Sequence, residues 1–213
     1  MFKNYIFDLD GTLIDTIDDL GTAVNYALKK YNFPERDLLM YPSFVGNGSK
    51  VTIQKALGRQ IDEGLFKKIY DTYLSYYLEN CANLSKPYSQ MNEVLNFLYK
   101  NGANLYCLTN KPEIAAKKLI ERFFPHLFKL VYGDLPNFPK KPDPTRLNLL
   151  ISKENLNKDE TVYIGDSDVD LILAKNANIK NTIFCNYGYG DKNKIESLGP
   201  LYRINKPIEL IKL

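Results

Sequence analysis

A chain of 213 residues, 45% hydrophobic and 25% charged, is long enough to bury a full core as one domain or one domain with a smaller insert. Its net charge of +3 is small, and its lysine clusters (Lys29-Lys30, Lys67-Lys68, Lys140-Lys141) are short and dispersed, as on solvated faces, so nucleic acid is not an expected partner. Three scattered cysteines without a CxxC pair and a single histidine leave too few ligands for zinc, and no apolar run is long enough to span a bilayer, so no membrane is expected either.

Taken in chain order, the pattern begins with a strand over 3–7 that runs straight into Tyr5-Ile6-Phe7. It lacks the basic region and cleavage site of a signal peptide, and with Cys107 and Cys185 in apolar runs a reducing cytoplasm is the expected location. Helical segments follow at 16–31, 48–58 and 64–80, with turn-rich stretches at 32–34 and 41–48 between them. In the third helix, Leu65, Ile69, Tyr73, Leu74, Tyr77 and Leu78 form a stripe at helical period. A helix over 90–101 leads to a strand over 104–108. Helix and strand then alternate: 112–123, 128–132, 144–153, 161–164, 168–177 and 181–185. Near-continuous apolar strands separated by helices predict an α/β fold with a doubly wound parallel sheet. The helices between the first two strands predict an inserted helical cap domain over 15–83, with the core formed by 1–14 and 84–213. The alternative is a set of extra helices packed directly on the sheet.

In such sheets ligands sit at the carboxyl ends of the strands. The first strand ends in Asp8-Leu9-Asp10-Gly11-Thr12-Leu13. Residues two apart in extended chain share a side, so Asp8 and Asp10 converge. Two such carboxylates suit a division of labour between an ionised nucleophile or metal ligand and a general acid. Gly11 permits a sharp turn and the approach of a backbone N–H to an anion. Alone, this segment also fits a turn or a calcium loop, although the remaining calcium ligands do not follow.

The second strand ends in Thr109-Asn110-Lys111-Pro112. Pro112 suits a first helical turn, placing Thr109 and Asn110 at a helix N-terminus as candidate anion ligands or as an ordinary cap. Next comes Lys140-Lys141-Pro142-Asp143-Pro144, where flanking prolines stiffen the loop and aim Lys141 at a phosphate; alone it is also a plain turn. The fourth strand ends in Gly165-Asp166-Ser167-Asp168-Val169-Asp170. Asp166 and Asp170, one helical turn apart, add oxygens to those of Asp8 and Asp10 and suit magnesium, while Asp168 is expected to point away as a helix-end charge. Four acidic groups against one lysine require both a metal ion and a proton before a phosphate dianion can enter.

These segments resemble the haloacid dehalogenase superfamily of phosphohydrolases, with a Rossmann-like core, over residues 1 to about 190. The resemblance implies an aspartyl-phosphate enzyme. Asp8 would attack phosphorus, Asp10 would serve as acid and then base, and Thr109 and Lys141 would hold phosphoryl oxygens. Mg²⁺ would be bound by Asp8, the Asp10 carbonyl, Asp166 and, directly or through orientation, Asp170. An aspartate at position 10 argues against the dehalogenases. Val45-Gly46-Asn47-Gly48, Thr109-Asn110-Lys111-Pro112 and Tyr187-Gly188-Tyr189-Gly190 are similar to the bacterial phosphoglycolate phosphatases. That implies 2-phosphoglycolate or a similar small phosphorylated metabolite as substrate, with Gly46, Asn47 and Gly48 as substrate contacts or a simple turn. Where many relatives end the last acidic helix with glycine this chain has Asn178, which tolerates the left-handed conformation. The alternatives are a sugar phosphomutase and a catalytically silent binding protein on this fold. A monomer or a homodimer is expected.

Overall fold

The computed structural model describes Met1–Leu213. β1 (Asn4–Phe7) is buried at every position, as a central strand covered on both faces must be. A two-residue strand β2 (Ile14–Asp15) is followed by α1 (Ile17–Lys30), α2 (Ser49–Leu57) and α3 (Glu63–Asn80). The chain returns through β3 (Lys86–Pro87), α4 (Met91–Lys100), β4 (Asn104–Pro112) and α5 (Glu113–Phe123). It ends with β5 (Phe128–Asp134), α6 (Thr145–Lys153), β6 (Thr161–Gly165), α7 (Asp168–Asn176), β7 (Asn181–Cys185), α8 (Lys192–Ile195) and β8 (Tyr202–Ile204).

Six strands make one parallel sheet in the order β5-β4-β1-β6-β7-β8. The order reverses between β1 and β6, which opens a crevice outside their carboxyl ends. Successive side chains of each strand go to opposite faces. Tyr5, Phe7, Leu105, Cys107, Val162 and Ile164 join one apolar cluster with α4 and α5. Ile6, Tyr106, Leu108 and Tyr163 join a second with Leu147 and Leu150 of α6 and Leu173 of α7. The doubly wound α/β reading of the sequence is the fold observed, and no helix is long and apolar enough to cross a membrane.

The chain leaves the sheet through β2 and re-enters through β3, and these two pair antiparallel at Ile14–Pro87 and Asp15–Lys86. Beside them the buried Asp19 carboxylate accepts from the Leu84 N–H, the Ser85 N–H and the Ser85 hydroxyl at 2.7–3.0 Å. The first cluster continues into α1, α2 and α3 through Leu28, Ile53, Ile69, Tyr73 and Tyr77. Of the predicted stripe on α3, Ile69, Tyr73 and Tyr77 are buried, and Leu65, Leu74 and Leu78 are half-buried.

Local features differ from the sequence reading. β4 does not stop at 108 but runs to Pro112 through a register shift between Leu108 and Pro112, so Pro112 precedes α5 rather than opening it. Thr109 and Asn110 therefore lie in a strand, not at a helix N-terminus. The short elements β2, β3, α8, β8 and the 3₁₀ turn Leu38–Ser43 were not foreseen, because each is too short to show a period. Asn178 does adopt the left-handed conformation, with φ of 57°.

Candidate active site

Asp8 follows β1, and its N–H extends the parallel ladder to the Ile164 carbonyl at 2.9 Å. Its side chain opens into a cavity of about 480 Å³ at the carboxyl ends of β1, β4 and β6. Asp10, Thr109, Asn110, Lys111 and Asp166 line the same cavity from the sheet side. Gly46, Asn47, Gly48 and Ser49 line it from the loop that opens α2. Asp168, expected to point away, also reaches its wall, because the first turn of α7 borders the opening.

Lys141 and Asp170 sit beneath the cavity and support it. Lys141 Nζ lies 2.8 Å from Asp8 Oδ1 and 2.7 Å from Asp170 Oδ1, with its side chain 5% exposed. It also donates to the Leu108 carbonyl and the Tyr163 hydroxyl. Asp170 is fully committed: Oδ1 accepts from Lys141 and Tyr163, and Oδ2 accepts from the Ser167 N–H and hydroxyl in a capping box. Lys140, by contrast, pairs with Asp134 at 2.8 Å and makes no contact with the carboxylates of the site.

Burial and the neighbouring carboxylates set the electrostatics. Burial pushes the Asp8 carboxyl up to about 6 against the pull of Lys141, with Asp170 adding to the rise. Asp166 is raised well above the usual range by burial, then by Asp170 and Asp8. Lys141 is burdened by burial, yet Asp170 and Asp8 hold it well above its ordinary value, so it stays an ammonium.

Two expected ligands have other tasks. Gly11 was expected to present its N–H to an anion, but that N–H donates to the Ile14 carbonyl at 3.0 Å, closing the turn after β1. What requires glycine there is φ of 80° and close packing: a Cβ would lie 2.3 Å from Asp166 Oδ2. Asn110 faces the cavity, but its amide is engaged. Oδ1 accepts the Lys141 N–H at 2.8 Å, and Nδ2 donates to the Lys141 and Gly46 carbonyls at 3.1 Å each. It fixes the lysine loop and ties it to the loop before α2.

Sequence reasoning missed four contributors. Thr16 Oγ1 and Lys111 Nζ each donate to Asp10 Oδ1 at 2.7 Å, so Asp10 is held from two directions. Thr12 Oγ1 donates to Asp166 Oδ1 at 3.1 Å, and the Tyr189 N–H donates to Asp166 Oδ2 at 2.7 Å. The Tyr189 hydroxyl donates to Asp15 and accepts from the Thr16 N–H. In the Tyr187-Gly188-Tyr189-Gly190 run the glycines are forced by contact: a Cβ at Gly188 would meet Asp166 Cβ at 2.3 Å, and one at Gly190 would meet the Asp166 carbonyl at 1.8 Å. That motif was visible in the sequence; its contact with Asp166 was not.

The donor set suits a hard divalent cation. Asp8, Asp166 and Asp170 each offer an oxygen within 4.8 Å of the others, and all three are buried. With all three ionised, their −3 would meet only the +1 of Lys141, and the upward push on Asp8 and Asp166 reflects that imbalance. Asp8 Oδ1 has Lys141 beside it but receives no well-directed hydrogen bond. An oxygen-lined, anionic site with an under-used carboxylate oxygen fits such a cation.

The sequence profile of the haloacid dehalogenase-like hydrolases matches residues 5–184. A phosphoglycolate phosphatase of Colwellia psychrerythraea is 34% identical, over 97% of this chain and 94% of that protein. One of Haemophilus influenzae is 31% identical, over 93% and 92%. The crystal structure of a predicted phosphoglycolate phosphatase from Haemophilus somnus superposes with a TM-score of 0.90 at 30% identity, covering 99% of this chain and 97% of that one.

Proposed function

The chain belongs to the haloacid dehalogenase-like hydrolases and is a phosphatase of that kind, and we propose that it hydrolyses 2-phosphoglycolate or a similar small phosphomonoester through a phosphorylated Asp8, with magnesium as cofactor. The observation that carries this reading is the pairing at the strand ends. Asp8 is held by Lys141 and aimed into the cavity, and Asp10 is held apart from it by Thr16 and Lys111.

In this reading an Asp8 oxygen attacks phosphorus while the bond from phosphorus to the substrate's alcohol oxygen breaks. Asp10 delivers its proton to the departing oxygen. Asp10 then removes a proton from water, which attacks phosphorus, releases inorganic phosphate and restores the Asp8 carboxylate. Thr109 and Lys141 orient the phosphoryl oxygens, and Asp170 holds the lysine in place. Asp8, the Asp10 carbonyl and Asp166 would hold magnesium, with Asp170 behind them; when bound it would neutralise the carboxylates and the phosphoryl group. Residues 15–83 act as the cap over a core of 1–14 and 84–213, hinged at the β2–β3 pair. Gly46, Asn47 and Gly48 present the cap's wall to substrate.

Phosphate release from a panel of phosphomonoesters, with and without magnesium and with Asp8→Asn as the blank, tests the reading. Metal-dependent release led by 2-phosphoglycolate supports all of it. Equal release by Asp8→Asn would remove the covalent step, and a lead by another ester would remove the named substrate.

A further inference from the structure

The phosphatase chemistry leaves one buried cation on the cavity wall without an assigned task. Lys111 has a side chain only 1% exposed, on the wall of the catalytic cavity. Its ammonium carries three N–H groups, and its one hydrogen-bond acceptor is Asp10 Oδ1 at 2.7 Å. Its other neighbour is the face of the Tyr77 ring, 4.8 Å from Nζ to the centroid, which attracts the charge but accepts no directed bond. A buried ammonium normally satisfies its remaining donors. Here the space beside them is the cavity.

The other cations near the cavity do not compete for this role. Lys141 is committed to Asp8 and Asp170, and Lys140, whose Nζ would lie 2.6 Å from a Cβ on Gly48, is paired with Asp134. Lys55 and Lys194 are exposed on the rim, and Lys55 donates to the Ser43 carbonyl. Gly48 and Ser49 also line the cavity, at the start of α2, whose first-turn N–H groups have no acceptor within the helix and favour an anion. Ser49 is itself buried, with its hydroxyl 3.4 Å from that of Tyr73.

Position defines what fits between them. With the phosphoryl group on Asp8, the leaving oxygen faces Asp10, and Lys111 touches Asp10 directly. A group one or two bonds beyond the leaving oxygen therefore reaches Lys111. We propose that Lys111 is the specificity-determining residue, pairing with a carboxylate borne by the leaving group, with the N-terminus of α2 on its far side. The site thus selects short phosphomonoesters with a second negative charge next to the ester carbon. The assignment rests on the phosphomonoesterase reading given above and adds to it a residue that reads the leaving group.

The test compares 2-phosphoglycolate with its neutral carboxamide, which keeps size and ester bond but loses the carboxylate. The wild-type enzyme should prefer the acid by about 100-fold in kcat/KM, mostly through KM, as for a charge-assisted hydrogen bond in a buried site. Lys111→Met should bring the ratio to within about threefold of one. A ratio that Lys111→Met leaves unchanged, because both esters slow equally, would show that Lys111 serves only to position Asp10 and would overturn the assignment. Should that variant fail to fold, the wild-type ratio and the smaller change Lys111→Gln decide: acid and amide hydrolysed alike by wild type ends the proposal while the phosphatase reading stands. If wild type releases phosphate from neither ester but hydrolyses another phosphomonoester of the panel, the assignment and the named substrate fall while the phosphatase chemistry stands.

Discussion

The floor and the roof of the cavity are built on opposite plans. The floor is Asp8 and Asp166 at strand ends with Lys141 and Asp170 beneath them; Asp166, Asp170 and Lys141 each touch two or more fixed partners, Asp8 is held by Lys141, and all four are buried. The roof is the loop 46–49 and the start of α2, held to the floor by the Asn110 bond to Gly46 and by the apolar cluster around Tyr73 and Tyr77. Lys111 stands between them, with a floor aspartate on one side and a roof tyrosine on the other. The contrast separates two physical tasks. Chemistry needs charges whose positions are over-determined, and the floor supplies them. Choice among substrates needs a wall with open hydrogen-bonding capacity, the task proposed above for Lys111 and the roof.

The sharpest way to break this comparison is at the nucleophile. Asp8→Asn should lower kcat by at least about 10⁴-fold. Its thermal midpoint should not fall, because burial and Asp170 already disfavour the Asp8 charge. A clear loss of stability would mean that the floor needs that charge to fold.

Next in size is the pair of adjacent lysines. Lys141→Met leaves the Asp8 and Asp170 carboxylates facing each other without their shared cation. It should cost about 3–5 kcal/mol of stability in chemical denaturation along with most activity. Lys140→Met, which loses only a partly exposed pair with Asp134, should stay within about 0.5 kcal/mol. If the two variants behave alike, the floor is less tightly determined than its contacts imply.

Gly190→Ala tests the support behind Asp166. With a Cβ 1.8 Å from the Asp166 carbonyl, either Asp166 or the 187–190 loop must move. The expected result is a loss of about 1–3 kcal/mol in denaturation and a weaker metal response in phosphate release. Undiminished metal affinity would show that the loop moves and the floor does not.

A smaller loss than at Lys141 or Gly190 is expected at Tyr189. Tyr189→Phe removes the hydroxyl that bridges Asp15 and the Thr16 N–H and should cost about 1 kcal/mol, read as a lower thermal midpoint. Because Thr16 also holds Asp10, a modest fall in kcat should accompany it.

The sequence by itself determined the class of fold, the alternation of its main strands and helices, and the acidic and basic residues that follow them. Apolar runs of strand length are a local property of the chain. Asp8, Asp10, Thr109, Asp166 and Asp170 were legible because each follows such a run closely or lies one turn beyond it, and Lys141 because prolines flank its loop; a parallel sheet brings the strand ends together. Tertiary structure alone decided which donors were spent and which remained open. It gave the amide of Asn110 to the lysine loop, the N–H of Gly11 to its own turn, and the glycines of the 187–190 loop to the backbone of Asp166. It also buried Lys111 against Asp10 and Tyr77, partners 101 residues away in one direction and on another helix in the other. A lysine beside a threonine and an asparagine has no local signature of that burial, because its surroundings come from segments that only folding makes adjacent.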